Sequence, residues 1–145
     1  MNYIDEAYKE ALMAYRKDEV PVGAVIVKNG EIIARAHNLK ESANNPCGHA
    51  EILCIQKASK KIGDWYLKDC ELYVTLEPCS MCVGAIINSR IEAVYYGVND
   101  PRTGALGGLY NMLEQKGFNH YFRQKCLGEE KCGKLLKDFF RNKRK

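Results

Sequence analysis

The segment Thr75 to Cys82, TLEPCSMC, constrains the fold more than any other: a strand-like run ends at Glu-Pro and two cysteines follow three positions apart. Glu71 to Thr75 predicts a strand, and the pattern from about Ser80 to Ser89 predicts a helix. With a further strand at Ala93 to Gly97, the series strand, helix, strand implies a parallel pair joined by a right-handed crossover. Cys79 and Cys82 then lie in the first turn of a helix, where unpaired N–H groups and the helix dipole favour thiolates. Such a pair can be a redox couple, half of a structural zinc clip, or two ligands of a catalytic metal, and the spacing alone does not choose.

The flanking patterns extend the same architecture. From Tyr3 to about Arg16, residues Ile4, Ala7, Tyr8, Ala11, Leu12 and Tyr15 follow the i, i+3/i+4 rhythm of an amphipathic helix that covers one face of a sheet. Val22 to Lys28 and Glu31 to Ala36 are joined by Asn29-Gly30, a strong hairpin signal, so these strands are expected as antiparallel neighbours. After the polar stretch Leu39 to Pro46, a helical pattern runs from about His49 through Ala58 and breaks near Gly63. Beyond Gly97 come a Gly-rich loop (Asp100 to Gly108), a short helix near Leu109 to Gln115, a strand around Tyr121 to Cys126, and a terminal helix from about Glu129. No repeat, linker or low-complexity segment interrupts this order, so residues 1–145 are read as one α/β domain.

The totals narrow the setting. A hydrophobic content of 46% with 28% charge is ordinary for a soluble globular protein. The opening MNYIDEAYKEAL carries acids and no apolar core of a signal sequence, and the longest apolar run, Val20 to Val27, is too short to cross a bilayer. A cytoplasmic protein is expected. Seven cysteines, an odd number, fit a reduced compartment and a metal better than a disulfide framework. The net charge of +4 resides in the tail Lys137 to Lys145, KDFFRNKRK. That tail is read either as a phosphate-binding patch or as a solvated helix end with cations suited to the dipole.

His49 is the third metal-ligand candidate. It opens the second helix in CGHAEI, so both helix N-termini can meet at one edge of the sheet. One His and two Cys leave a fourth position of zinc to water, the pattern of a catalytic site and not of a closed structural one. Water so bound has its pKa lowered to about 7. Glu51 can reach into the same pocket, take up the water's proton and return it to a leaving group. Taken singly, a His at a helix start is a cap and a Glu in a first turn complements the dipole.

His49-Ala50-Glu51 with Pro78-Cys79-Ser80-Met81-Cys82 resembles the H-x-E…P-C-x-x-C signature of the zinc-dependent nucleobase deaminases. Within that superfamily the chain is similar to the bacterial tRNA-specific adenosine deaminases along nearly its whole length. The likeness includes VPVGAVIV (Val20 to Val27), Asn38, HAEI, LYVTLEPCSMC, Gly84 to Ile91, NDPRTGALGG (Asn99 to Gly108), Asn119-His120 and FFRNKRK. The resemblance implies a three-layer α/β/α cytidine-deaminase-like fold with a central mixed five-stranded sheet. It implies one Zn2+ per subunit held by His49, Cys79 and Cys82, with Glu51 as proton shuttle. It further implies Asn38 as a base or ribose contact and Asp100 as a contact to the ribose 2′-OH. The expected reaction is deamination of the wobble adenosine of an arginine tRNA to inosine, with the anticodon stem-loop as RNA partner, a homodimer as assembly, and neither membrane nor DNA as partner.

Other readings stand beside these. Asn38 and Asp100 suit loop capping as well as substrate contact, and Arg90 and Arg102 suit phosphate contact or simple solvation. The same zinc signature serves deaminases of free cytosine, guanine or nucleosides, and a closed zinc module without catalysis would use Cys47 as a fourth ligand. The stretch Asn44-Asn45-Pro46-Cys47-Gly48 departs from the family pattern, which has a small hydroxyl residue and Ala before the His. Cys47 is expected to be a packed, buried small residue. Cys126 and Cys132 are expected to be buried and not to form a second metal site.

Overall fold

The computed structural model describes residues 2–143. Arg144 and Lys145, the last cations of the tail, lie outside the described residues. The order is α1 (Tyr3–Arg16), β1 (Gly23–Lys28), β2 (Glu31–His37), α2 (Ala50–Ile62), β3 (Cys70–Leu76), α3 (Ser80–Ser89), β4 (Ala93–Val98), β5 (Arg123–Cys126) and α4 (Glu130–Lys143). The strands form a five-stranded sheet in the order β2-β1-β3-β4-β5. Strand β1 pairs antiparallel with both β2 and β3, and β3, β4 and β5 are parallel. The sheet is therefore mixed, and helices cover both faces in an α/β/α sandwich.

Local chemistry accounts for the elements. Asn29 and Gly30 both take positive φ, 51° and 79°, as the tight hairpin between β1 and β2 demands. Helix α2 ends on Gly63 in the left-handed region, φ 79°, the usual glycine stop. Helix α3 ends on Arg90 in the same region, φ 63°. Its guanidinium donates to the Ile87 carbonyl at 2.7 Å and lies 5.6 Å from the Trp65 ring centroid, so Arg90 caps a helix end. Between β4 and β5 the short helix expected near Leu109 to Gln115 contracts to one 3-10 turn, Met112–Glu114. The surrounding backbone is held by loop contacts, including Met112 N–H to the Ala105 carbonyl at 2.9 Å.

Alternation along the strands divides the core. Ala24, Ile26, Leu72, Val74 and Val94 cluster with Ala50, Cys54 and Ala58 of α2 and Val83, Ile86 and Ile87 of α3. Helix α1 packs on the sheet's other face, in contact with β1 and β3, through Ala7, Ala11 and Ala14, all fully buried. The approach is so close that a Cβ on Gly23 would lie 2.1 Å from the Ala7 carbonyl oxygen. Ion pairs Lys131–Asp5 and Lys143–Asp18 tie α4 to the helix and turn at the start of the chain. At the C-terminal end of β3 the chain turns directly into α3, and α2 begins beside it.

Candidate active site

His49 is the residue before α2 and Cys79 the residue before α3, both extended, so each stands where a helix turns its first N–H groups outward. His49 Nδ1 lies 3.6 Å from Cys79 Sγ and 3.6 Å from Cys82 Sγ. A tetrahedral ion with about 2.3 Å to sulfur and about 2.0–2.1 Å to nitrogen places S and N about 3.6 Å apart. The three donor atoms lie mutually within 4.8 Å, and both sulfur–nitrogen separations match that spacing. Titration already favours the anion at one of them, Cys79. The Cys79 thiol is drawn down to about 4 by its bond from Cys82, against burial, and by His49. Cys82, which keeps its proton for Cys79 and is buried beside Glu51, is pushed up. His49 is raised by its bond to Cys79 and by the Glu51 charge, against desolvation.

Glu51, in the first turn of α2, is only 4% exposed. Burial pushes its carboxyl up to about 7, and the side chain meets the Cys82 thiol. A carboxyl that takes and gives a proton near neutrality, beside three metal donors, has the properties of a general acid–base.

The remaining expected site residues are placed as follows. Asn38 is 6% exposed, its amide donating to the Val20 carbonyl at 3.3 Å and its oxygen accepting from Lys40 N–H at 3.1 Å. Asp100 closes a turn: Oδ1 accepts from Arg102 N–H at 3.0 Å and Oδ2 from the Thr103 hydroxyl at 2.8 Å. Both therefore have a loop-shaping role in the folded chain. Arg102 is exposed. Cys47 is not buried as expected: it is exposed, in a surface turn where its N–H bonds the Asn45 side chain at 3.0 Å. The stretch before it, Lys40 to Asn45, is mostly polar and largely exposed. Cys132 is buried, whereas Cys126 is half-buried because β5 is the sheet edge. In the tail, Arg141 pairs with Asp138 and Lys143 with Asp18, so part of its charge is met inside the chain.

Two carboxylates escaped sequence reasoning. Glu77, 2% exposed, follows β3 immediately and accepts four bonds from the loop beyond β4. Glu19, 1% exposed, accepts from Glu41 N–H at 3.0 Å and Ser42 N–H at 2.6 Å, and so pins the turn that precedes His49. Burial raises the Glu19 carboxyl, but its bonds from Ser42 and Glu41 outweigh burial and hold it below the usual value. The signal for Glu77 was present in TLEPC, a charge at the end of an apolar run, which is stable only if its partners are supplied.

Comparison with known proteins agrees with this geometry. The MafB19-like deaminase family model matches residues 1–144. A curated relative from Bacillus subtilis (strain 168), a tRNA-specific adenosine deaminase, is 51% identical over 144 residues, covering 99% of this chain and 89% of the relative. A solved structure from work on A-to-I editing by tRNA:A34 deaminases superposes with a TM-score of 0.89 at 38% identity, over 92% of this chain and 98% of that one. A guanine deaminase structure from Bacillus subtilis gives a TM-score of 0.67 at 31% identity, over 98% of this chain and 95% of that one. With its His-x-Glu and Cys-x-x-Cys side chains gathered at one end of a mixed sheet, the chain belongs to the tRNA-specific adenosine deaminases of the MafB19-like deaminase family.

Proposed function

We propose that this protein hydrolyses the wobble adenosine, position 34, of an arginine tRNA to inosine, with zinc held by His49, Cys79 and Cys82. The observation that carries this reading is a buried Glu51 carboxyl, raised to about 7, beside three donors spaced for a tetrahedral ion. Bound zinc supplies electrophilic activation of water at neutral pH. Glu51 takes a proton from the attacking water and delivers it to the purine ring nitrogen next to C6. As the C6 amino group departs, Glu51 carries to it the proton of the new hydroxyl on C6, so that adenosine and water give inosine and ammonia. Burial, which raises the Glu51 carboxyl, makes its carboxylate a better acceptor of the water's proton. Proton transfer of this kind contributes about 10² to 10⁴-fold.

Asn38 would contact base or ribose, and Asp100 the 2′-OH, a contact that distinguishes RNA from DNA. An anticodon-loop base is poorly stacked, so its extrusion costs only a few kcal/mol. The assembly is a homodimer acting in the cytoplasm, on RNA and neither on DNA nor at a membrane; among the described residues, no helix is long and apolar enough to span a bilayer. The test is sequencing for inosine at position 34 of an arginine tRNA after incubation with wild type and with Glu51→Ala. Inosine formed by wild type alone supports the reading. Wild type that leaves the tRNA intact yet deaminates a free base refutes it, and favours the second reading suggested by the guanine deaminase likeness, a free nucleobase or nucleoside as substrate.

A further inference from the structure

The carboxylate of Glu77 is walled in by backbone. Its Oε1 accepts from the Asn99 side-chain amide at 2.9 Å and from Asp100 N–H at 2.9 Å. Oε2 accepts from Leu106 N–H at 2.8 Å and Gly108 N–H at 2.9 Å. Four donors fill the lone-pair positions of a carboxylate. The glycines of NDPRTGALGG are cut to its shape: a Cβ on Gly104 would lie 2.3 Å from the Glu77 carboxyl carbon, and one on Gly108 2.4 Å from Oε1. The same loop lies along the first cysteine of the metal-ligand set. Ala105 N–H bonds the Pro78 carbonyl at 2.9 Å, and Gly104 forms a bridge with Cys79.

We infer that Glu77 is a positioning residue for substrate: its carboxylate seats the Asn99–Gly108 loop over the metal end of the sheet and so sets the place of Asp100, while leaving the metal donors to the two helix starts. It acts through the loop, touching neither substrate nor metal. This rests on the RNA reading above, and on helix support of the donors beyond what the loop gives Cys79. His49 leads into α2, and Cys79 and Cys82 are held by α3, whose first bond runs from Val83 N–H to the Cys79 carbonyl at 2.9 Å. Loss of the clamp should therefore loosen RNA binding before it loosens the metal.

Replacing one carboxylate oxygen by an amide in Glu77→Gln sets an NH₂ group against N–H donors. The holoenzyme is assayed on an anticodon-loop RNA hairpin bearing adenosine 34, with metal per chain and Tm measured on the same preparations. The expected result is a KM about tenfold or more above wild type, kcat lowered by no more than about threefold, and metal content unchanged. An unchanged KM overturns the inference, as does a fall in kcat at constant KM, or a loss of metal in step with activity. Should Glu77→Gln fail to fold, backbone hydrogen exchange of wild type decides. Amides of Asp100, Leu106 and Gly108 protected like those of β4 support the clamp, and rapid exchange overturns it. A wild type inactive on the hairpin refutes the RNA reading before any variant is compared, and exchange then decides the clamp alone.

Discussion

Glu51→Gln should stabilise the metal-free protein while destroying its activity, and the two effects have one cause. In the folded chain burial holds the carboxyl at about 7 instead of its ordinary 4.5, so ionisation is about 3 kcal/mol costlier than in the unfolded chain. Below about pH 4.5 both states keep the proton and the residue costs nothing. As pH rises towards 7 the unfolded state sheds its proton first, and stability falls until the folded carboxyl ionises too. The glutamine side chain has no proton to lose, so the variant escapes that decline. Matched thermal melts of chelator-treated wild type and Glu51→Gln between about pH 5 and 8.5 should diverge with pH, the variant ending about 6 to 12 °C higher above pH 7. Deamination by the zinc-loaded variant should fall by about 10² to 10⁴-fold. A Tm difference that is constant across this pH range would refute the argument, because it would mean that burial does not hold the carboxyl up.

Three further outcomes follow from the same geometry. Cys79→Ser should weaken zinc binding by more than the roughly 10 to 100-fold typical of changes outside the ligand set, as read by competition with a chromogenic chelator. Gly23→Ala must push α1 off β1, since the new methyl would meet the Ala7 oxygen at 2.1 Å and the Ala11 nitrogen at 2.4 Å; a loss of about 3 kcal/mol in urea titration is expected. Glu19→Gln should cost about 1 to 3 kcal/mol near neutrality, because an amide cannot accept from both Glu41 and Ser42 N–H groups as the carboxylate does. That difference should shrink as pH falls, since a carboxyl held below its ordinary value lends stability that is lost on protonation; a difference constant down to about pH 3 would contradict it.

By itself the sequence determined most of the elements and marked His49, Cys79 and Cys82 as a candidate donor set. Helices α1 and α3 run over Tyr3–Arg16 and Ser80–Ser89 as their periodicity predicts, and the Asn29-Gly30 hairpin pairs β1 with β2. These are short-range matters, decided by residues within a turn or a strand of one another. The likeness of His49, Glu51, Cys79 and Cys82 to a known pattern was legible for a related reason: each of them lies at a helix start, where local signals already place it. Only tertiary structure decided where the buried carboxylates go and which thiols are covered. Glu77 draws its donors from 22 to 31 positions downstream, and Glu19 from 22 and 23 positions, separations at which no periodicity speaks. Cys47 faces solvent although free cysteines are usually buried, in a turn where its N–H is tied to the Asn45 side chain. A buried charge must find its hydrogen bonds wherever the chain happens to pass, and that becomes known only when the strands have been laid side by side.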